Sequence, residues 1–460
     1  MKTVVRGGEL VTASASCRRD ILIEGGRIAA VGLGLNTVGA QVIEAQGCLV
    51  FPGFIDAHTH FDLEVGGTVT ADDFRTGTKA ALAGGTTTVI DFATQAKGGS
   101  LAQALDRWQE KAAGLSACDY AFHLAITDWN QETAKEVKEM ARAGVTSYKV
   151  YLAYDDLRLR DGQVWQVLGR VKEVGGIVGA HCENGDVVDE LVREHLSQRE
   201  TEPRFHPLSR PELAEAEAVS RFTCLAQMAG TPAYIVHLSS AAGLAAALAA
   251  RERGAEVYLE TCPQYLFLDD ALYDLPGFEG AKYVCSPPLR GQASQAALWA
   301  ALAAGRLDTV ATDHCSFNYR GQKELGRADF SKIPNGLPGV EHRPTLLYTA
   351  VANGTISANR FVALLAENPA RLFGLYPQKG TIAPGSDADL VLWDPEARDT
   401  IRAKNQEQNV DYTPYEGFKT RGGPRAVLLG GELAFSDGRL LLGNRGRYLP
   451  RCPGDFYRKG

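Results

Sequence analysis

Two histidines separated by one residue close an apolar run, Phe51-Pro-Gly-Phe-Ile-Asp-Ala-His58-Thr-His60. On a β-strand, side chains two apart leave the same face, so both imidazoles project together from the strand end. Neutral imidazole is a common zinc ligand, and a bound cation needs several donors converging on one point. Taken alone, His-x-His also describes two histidines that merely share a polar face. Further along, Lys149 lies in Ser147-Tyr-Lys-Val-Tyr151, His181 closes the run 176–181, His237 closes 233–237 and Asp313 closes 308–313. Four of the nine histidines therefore fall at the ends of apolar runs. Any one of them could be a hydrogen-bonded strand-end histidine; together with Asp313 they point to one shared metal site. Lys149 is the odd member of this set. An ammonium repels metal ions, and a lysine in an apolar strand reads, taken singly, as an ion-paired lysine. Burial and nearby cations lower its pKa, however, and a neutral amine can add CO2 to become a carbamate. That anionic, bidentate group could bridge two metals at about 3.5–4 Å, the spacing of two-metal hydrolytic sites.

These residues need elements that bring them together. Eight short apolar runs (49–58, 86–92, 120–126, 147–152, 176–181, 233–237, 256–260 and 308–313) alternate with segments of helical apolar spacing such as 131–144, 186–198 and 212–230. The alternation predicts an α/β fold, a (β/α)8 TIM-like barrel over 51–379, whose C-terminal strand ends carry the chemistry. Residues 1–50 read as short strands with Gly-Gly and polar turns, and β character returns after 380. The two ends, 1–50 and 380–442, are expected to pair into a β-sandwich beside the barrel. Residues 443–460, rich in Arg, Gly and Pro, read as a surface arm suited to lie on another subunit.

The 460 residues, 45% hydrophobic and 22% charged, fit a globular chain too long for one ordinary core. A net charge of −7 gives no basic footprint, which argues against nucleic acid as the partner. Nine scattered cysteines without a Cys-x-x-Cys pair suggest reduced thiols. The opening residues carry no long apolar stretch and no run is long enough to span a membrane, so no membrane partner and a cytoplasmic location are expected.

The chain also resembles the amidohydrolase superfamily, and within it the cyclic-amide hydrolases, the dihydropyrimidinases and D-hydantoinases. The likeness spans nearly the whole sequence. Besides the stretch ending at His60, it rests on Gly66-Gly-Thr-Val-Thr-Ala-Asp-Asp73, Gly84-Gly-Thr-Thr-Thr88, Ser147-Tyr-Lys-Val-Tyr151 and His181-Cys-Glu-Asn184. It continues through Glu260-Thr-Cys-Pro-Gln-Tyr265, Ser286-Pro-Pro-Leu-Arg290, Thr312-Asp-His-Cys315, Gly321-Gln-Lys-Glu-Leu-Gly326 and Pro334-Asn-Gly-Leu-Pro338. The resemblance implies two Zn2+ bridged by a hydroxide and by Lys149 as N6-carboxylysine. It implies His58, His60 and Asp313 on the more buried metal and His181 and His237 on the second. It further implies Tyr154 as donor to the developing oxyanion, the backbones of Ser286 and Asn335 as grips on the ring edge, and a homotetramer or homodimer. Without it, Tyr154 would read as a half-buried tyrosine and Asn335 as a turn former.

Physical logic then gives the reaction. Zinc brings the pKa of bound water to about 7, the hydroxide attacks the ring carbonyl, and Asp313 serves as ligand, base and acid in turn. A hydantoin or dihydropyrimidine opens to an N-carbamoyl amino acid. Relatives that hydrolyse dihydroorotate resemble His-x-His-x-Arg; here Asp62 occupies the arginine position, which disfavours a carboxylate substrate. The ring substituent is expected near Leu63 and the segment 152–159. Two alternatives stand beside this reading: an allantoinase-like ureide hydrolase, and a non-catalytic dihydropyrimidinase-like binding protein.

Overall fold

The computed structural model describes residues 2–456. Eight strands rich in β-branched and aromatic residues form one parallel sheet in sequential order. They are β1 (Phe54–Thr59), β2 (Thr86–Thr94), β3 (Asp119–Ala125), β4 (Ser147–Tyr151), β5 (Ile177–His181), β6 (Ala233–Ile235), β7 (Val257–Thr261) and β8 (Thr309–Val310). Every residue of β1, β3, β4, β5 and β7 is buried, as expected of strands covered on both faces. The sheet curls until its first and last strands meet. Thr59 bridges His314, the His60 amide donates to His314 O at 2.8 Å, and the Asp56 carboxylate accepts from the Thr312 hydroxyl at 2.7 Å. Helices follow the strands at the expected places, among them Gln131–Arg142, Gly185–Ser197 and Glu212–Ala229. Side chains of Asn130 and Asn184 cap the first two of these, and Gly230, at φ 67°, ends the third.

The termini combine into two mixed sheets beside the barrel. One holds Lys2–Arg6, Asp20–Glu24, Arg27–Gly32 and Gln41–Glu44; the other runs from Ser16–Arg18 through Leu390–Thr400 to Arg439–Leu440. Val5, Ile21, Ile23, Leu390, Leu392 and Leu428 fill the space between them. One run divides where the sequence reads as continuous. Leu49–Pro52 pairs antiparallel with the strand at Leu390, as terminal-sheet backbone, and only Phe54–Thr59 enters the barrel. Gly53 is the pivot: a Cβ there would lie 2.1 Å from the Thr87 hydroxyl, so only glycine lets the chain pass between the two sheets.

The C-terminal arm is tied to the barrel by backbone hydrogen bonds. Residues 446–455 run across the N-terminal end of their own barrel. Gly446 N donates to Ser116 O, Leu449 N to Tyr120 O and Arg451 N to Gly144 O, at 2.9, 2.8 and 2.8 Å. The buried Arg451 guanidinium donates to Phe122 O and, at 3.3 Å, to Phe373 O. An arginine of a segment read as a surface arm is thus buried against barrel carbonyls. Residues 457–460 of that expected arm lie outside the described residues. Among the described residues no helix is long and apolar enough to cross a membrane, and the nine cysteines are free thiols.

Candidate metal centre and active site

Strand geometry explains how donors distant in sequence come together. His58 and His60 leave the end of β1 on one side, and Asp313 follows β8, the strand that closes against β1. The ligand atoms of these three lie within 4.8 Å of one another. His58 Nε2 is 3.0 Å and His60 Nε2 3.2 Å from Asp313 Oδ1, and the two ring nitrogens are 3.2 Å apart. Burial alone would raise the Asp313 pKa, but His58 and His60 outweigh it and hold the carboxyl well below its ordinary value. Burial pulls His60 down to about 4, so its imidazole is neutral at physiological pH.

A second pair stands across the mouth. His181, ending β5, points Nδ1 at Nε2 of His237, just past β6, at 3.0 Å. The ring centroids of His58 and His237 are 5.5 Å apart, so both groups share one cavity. Lys149 rises from β4 between them, buried, with Nζ 3.1 Å from His58 Nε2 and 4.3 Å from the centre of the Phe92 ring. Among the described residues His58 is its only hydrogen-bonding contact, and no carboxylate pairs with it. Burial lowers its pKa from the usual lysine value.

Two buried carboxylates orient these rings. Glu260, ending β7, meets His58 Nδ1 at 2.7 Å and accepts from the His237 amide at 2.9 Å with the same oxygen. Its other oxygen accepts from the Tyr234 hydroxyl at 2.7 Å. Glu183 meets His181 Nε2 at 2.8 Å and accepts from Arg210 at 2.5 Å. Against the cost of burial, Arg210 draws Glu183 down to about 2. Each carboxylate fixes a proton on the far side of its imidazole and leaves the near nitrogen with a lone pair directed into the cavity. The Nδ1 atoms of the facing rings, His60 and His237, are buried without a hydrogen-bond partner. The donor set therefore fits metal ions: imidazoles with second-sphere carboxylates, plus one ionised aspartate.

Glu260 and Glu183 were not singled out by sequence reasoning, although both lie inside the quoted motifs. Glu260 ends the apolar run Val-Tyr-Leu-Glu and Glu183 follows His181 by two residues, but neither position by itself marks a partner for an imidazole.

Of the expected substrate contacts, Tyr154 lies beside the His181 ring. Tyr154, at φ 69°, sets its ring 5.1 Å from that of His181, and burial pushes its pKa up to about 12. Its hydroxyl neighbours Ser286. The Ser286 hydroxyl and the Asn335 side-chain oxygen are buried without a hydrogen-bond partner. Their loops are stitched together by the Gly336 amide donating to Val284 O at 3.1 Å.

The family model for the amidohydrolase family matches residues 49–434, most of the chain. This chain is an amidohydrolase. The amidohydrolase is 49% identical to a D-hydantoinase of Streptomyces coelicolor and 46% identical to one of Geobacillus stearothermophilus. These alignments cover 98% of this chain and 98% and 97% of those relatives. Among solved structures it resembles dihydropyrimidinase from Brevibacillus agri, with a TM-score of 0.97 at 46% identity over 99% of both chains. It also resembles the L-hydantoinase of Arthrobacter aurescens, with a TM-score of 0.89 at 27% identity over 98% of this chain and 99% of that one. Beside the amidohydrolase centre, Leu63–Val69, Thr94, Tyr151, Asp156 and Leu157 line a cavity of about 670 Å3.

Proposed function

We propose that this enzyme hydrolyses the ring amide of hydantoins and dihydropyrimidines to N-carbamoyl amino acids. The observation that carries the reading is the meeting of His58, His60 and Asp313 with His181, His237 and Lys149 in one barrel mouth. The relatives named D-hydantoinase, at 42–49% identity along almost the whole chain, supply the substrate class.

His58, His60 and Asp313 would hold one zinc ion and His181 and His237 a second, with Lys149 as a carbamate joining the two. Lys149 suits that modification: it is buried, burial lowers its pKa against the pull of the nearby Asp313 and Glu260 charges, and among the described residues no carboxylate forms an ion pair with it. When bound, the two cations supply a water nucleophile active at neutral pH and positive charge for the carbonyl oxygen. The chain's own residues do the rest. Asp313, ionised between two imidazoles, takes the proton of the attacking water and delivers it to the leaving ring nitrogen. Tyr154, kept protonated by burial, donates to the carbonyl oxygen as charge develops there. Backbone groups of Ser286 and Asn335 grip the N–H and C=O groups along the ring edge.

The charged groups at the mouth favour a neutral ring. Asp62 faces Lys111 at 3.5 Å and Arg210 is held by Glu183, so neither basic side chain is left to receive a substrate carboxylate. The cavity lined by Leu63, Val65 and Leu157 takes the ring substituent. Higher identity to the D-hydantoinases than to the L-hydantoinase favours the D hand. The same reading carries a homotetramer or homodimer, measurable by light scattering.

The deciding experiment is turnover by zinc-loaded enzyme of hydantoin, both hands of 5-phenylhydantoin, dihydrouracil, allantoin and dihydroorotate. Ring opening of the hydantoins and dihydrouracil is expected, with the D hand faster. Turnover of allantoin or dihydroorotate with none of the hydantoins or dihydrouracil would overturn the reading.

A further inference from the structure

Lys323 is as deeply buried as any residue in the chain, yet it belongs to no ion pair among the described residues. Its Nζ donates to Val284 O at 2.7 Å, Pro334 O at 2.6 Å and Gly336 O at 2.8 Å. An ammonium carries three N–H donors, and here each finds a carbonyl. Two of those carbonyls flank Asn335, and the third lies two residues before Ser286. A single amino group therefore clasps the two loops assigned above to the ring edge; burial pulls its pKa down to about 7, and the three carbonyl acceptors favour its charged form.

Its own segment is anchored in turn. Tyr319 N and Arg320 N donate to the Asp411 carboxylate at 2.6 and 3.0 Å, and the Gln322 amide donates to the Thr68 hydroxyl at 2.8 Å. Gly336, at φ 148°, presses against Cys315, where a Cβ would lie 2.3 Å from the carbonyl oxygen. The Asn335 loop thus has a wall behind it and the clasp beside it.

We infer that Lys323 is a positioning residue: it sets the spacing between the Ser286 and Asn335 loops and so determines how strictly the enzyme reads the ring's N–H and C=O edge. This rests on the proposed role of those two loops. Without the ammonium, three carbonyl oxygens would face one another across a gap, and like-oriented dipoles would push the loops apart. Lys149 supplies the contrast. It has one hydrogen-bonding contact and room for chemistry, whereas Lys323 is saturated by oxygen acceptors that would repel a carbamate.

The test compares zinc-loaded wild type with Lys323→Gln and Lys323→Met on hydantoin and on hydantoin methylated at the imide nitrogen between the two carbonyls. Lys323→Gln keeps two N–H donors and serves where Lys323→Met does not fold. The variants should raise KM for hydantoin about tenfold while kcat stays within about threefold, because a loosened ring-edge hydrogen bond weakens ground-state and transition-state binding alike. Zinc content should be unchanged, and discrimination against the methylated ring should fall about tenfold. A purely structural lysine would lower the melting temperature and leave that discrimination intact; this result would overturn the inference. Wild type that turns over both rings equally would instead sink the edge-grip reading itself, and the inference with it.

Discussion

Glu260 offers the sharpest test of how the centre is held. One carboxylate serves three buried donors: His58 Nδ1 at 2.7 Å, the His237 amide at 2.9 Å and the Tyr234 hydroxyl at 2.7 Å. Tyr234 has Thr309 Oγ1 as an alternative acceptor, so Glu260→Ala strands two donors at about 1–3 kcal/mol each and costs about 2–6 kcal/mol. That is a large share of the stability of a domain, about 5–15 kcal/mol, and the alanine variant should accumulate poorly. Glu260→Gln is the informative change. Its amide oxygen can still accept from His58 and His237. Its amide nitrogen can donate to Tyr234, whose O–H then turns to Thr309 Oγ1, 2.6 Å away.

What Glu260→Gln removes is the negative charge behind His58. Loss of such a second-sphere partner costs about 10–100-fold in metal affinity, or about 1.4–2.7 kcal/mol. Glu260 touches one donor from each group, so both zinc equivalents should weaken together. The measurement is bound zinc per chain across a series of buffered free-zinc concentrations, beside melting temperature and kcat. A variant that binds zinc within about threefold of wild type and keeps full kcat would refute the reasoning.

Lys149→Ala should abolish turnover and lower zinc content, with partial return on adding short carboxylic acids; unchanged activity would exclude the bridging role. Apoprotein reconstituted with zinc should recover faster with bicarbonate present, because the lysine must take up CO2 before it can hold both ions; recovery independent of bicarbonate would count against it. Tyr154→Phe should lower kcat by about 10²–10³, the cost of one oxyanion donor, while zinc content holds. Arg451→Met leaves the Phe122 and Phe373 carbonyls without a donor and should cost about 2–6 kcal/mol of stability, read by denaturant unfolding, without changing KM.

The barrel was legible because each strand is a self-contained apolar run, and its burial on both faces is a local property of sequence. The donors were legible because chemistry-bearing side chains interrupt those runs at their ends. The division at Gly53 was not. Residues on either side are equally apolar, and only the partner strand at Leu390, over 300 positions away, assigns Leu49–Pro52 to the terminal sheet. The course of 446–455 was hidden for a similar reason. Arg451 looks like a surface cation until Phe122 and Phe373 present their carbonyls. Glu183 and Glu260 carry no spacing signal of a ligand; their role comes from the imidazoles they face. Lys323 was invisible in the same way, since its three partners are backbone oxygens.

Backbone strain connects these observations. Tyr154, His237 and Asp313 lie at or beside the centre, Asp62 follows His60 by two residues, and the φ values of Asp62, Tyr154, His237 and Asp313 are all positive, at 51°, 69°, 40° and 51°. Such conformations cost about 1–3 kcal/mol each outside glycine. They arise because a straight strand would carry these side chains past the cavity, and the chain must bend to turn them inward. Hydrogen bonds from neighbouring elements hold the bends. Asp62 N donates to Asp72 O at 3.0 Å, Tyr154 O accepts from Arg158 N at 2.8 Å, and His237 N donates to Glu260 at 2.9 Å. Glu260 therefore acts on both levels, orienting the His58 ring and pinning the bent His237 backbone. Its two variants separate these functions. Glu260→Gln keeps the backbone acceptor and loses the charge, so it should fail only in metal affinity. Glu260→Ala loses both, and His237 should then relax away from His181 even in chains that fold. If the two variants bind zinc equally, the bend at His237 owes nothing to Glu260, and the barrel alone must hold it.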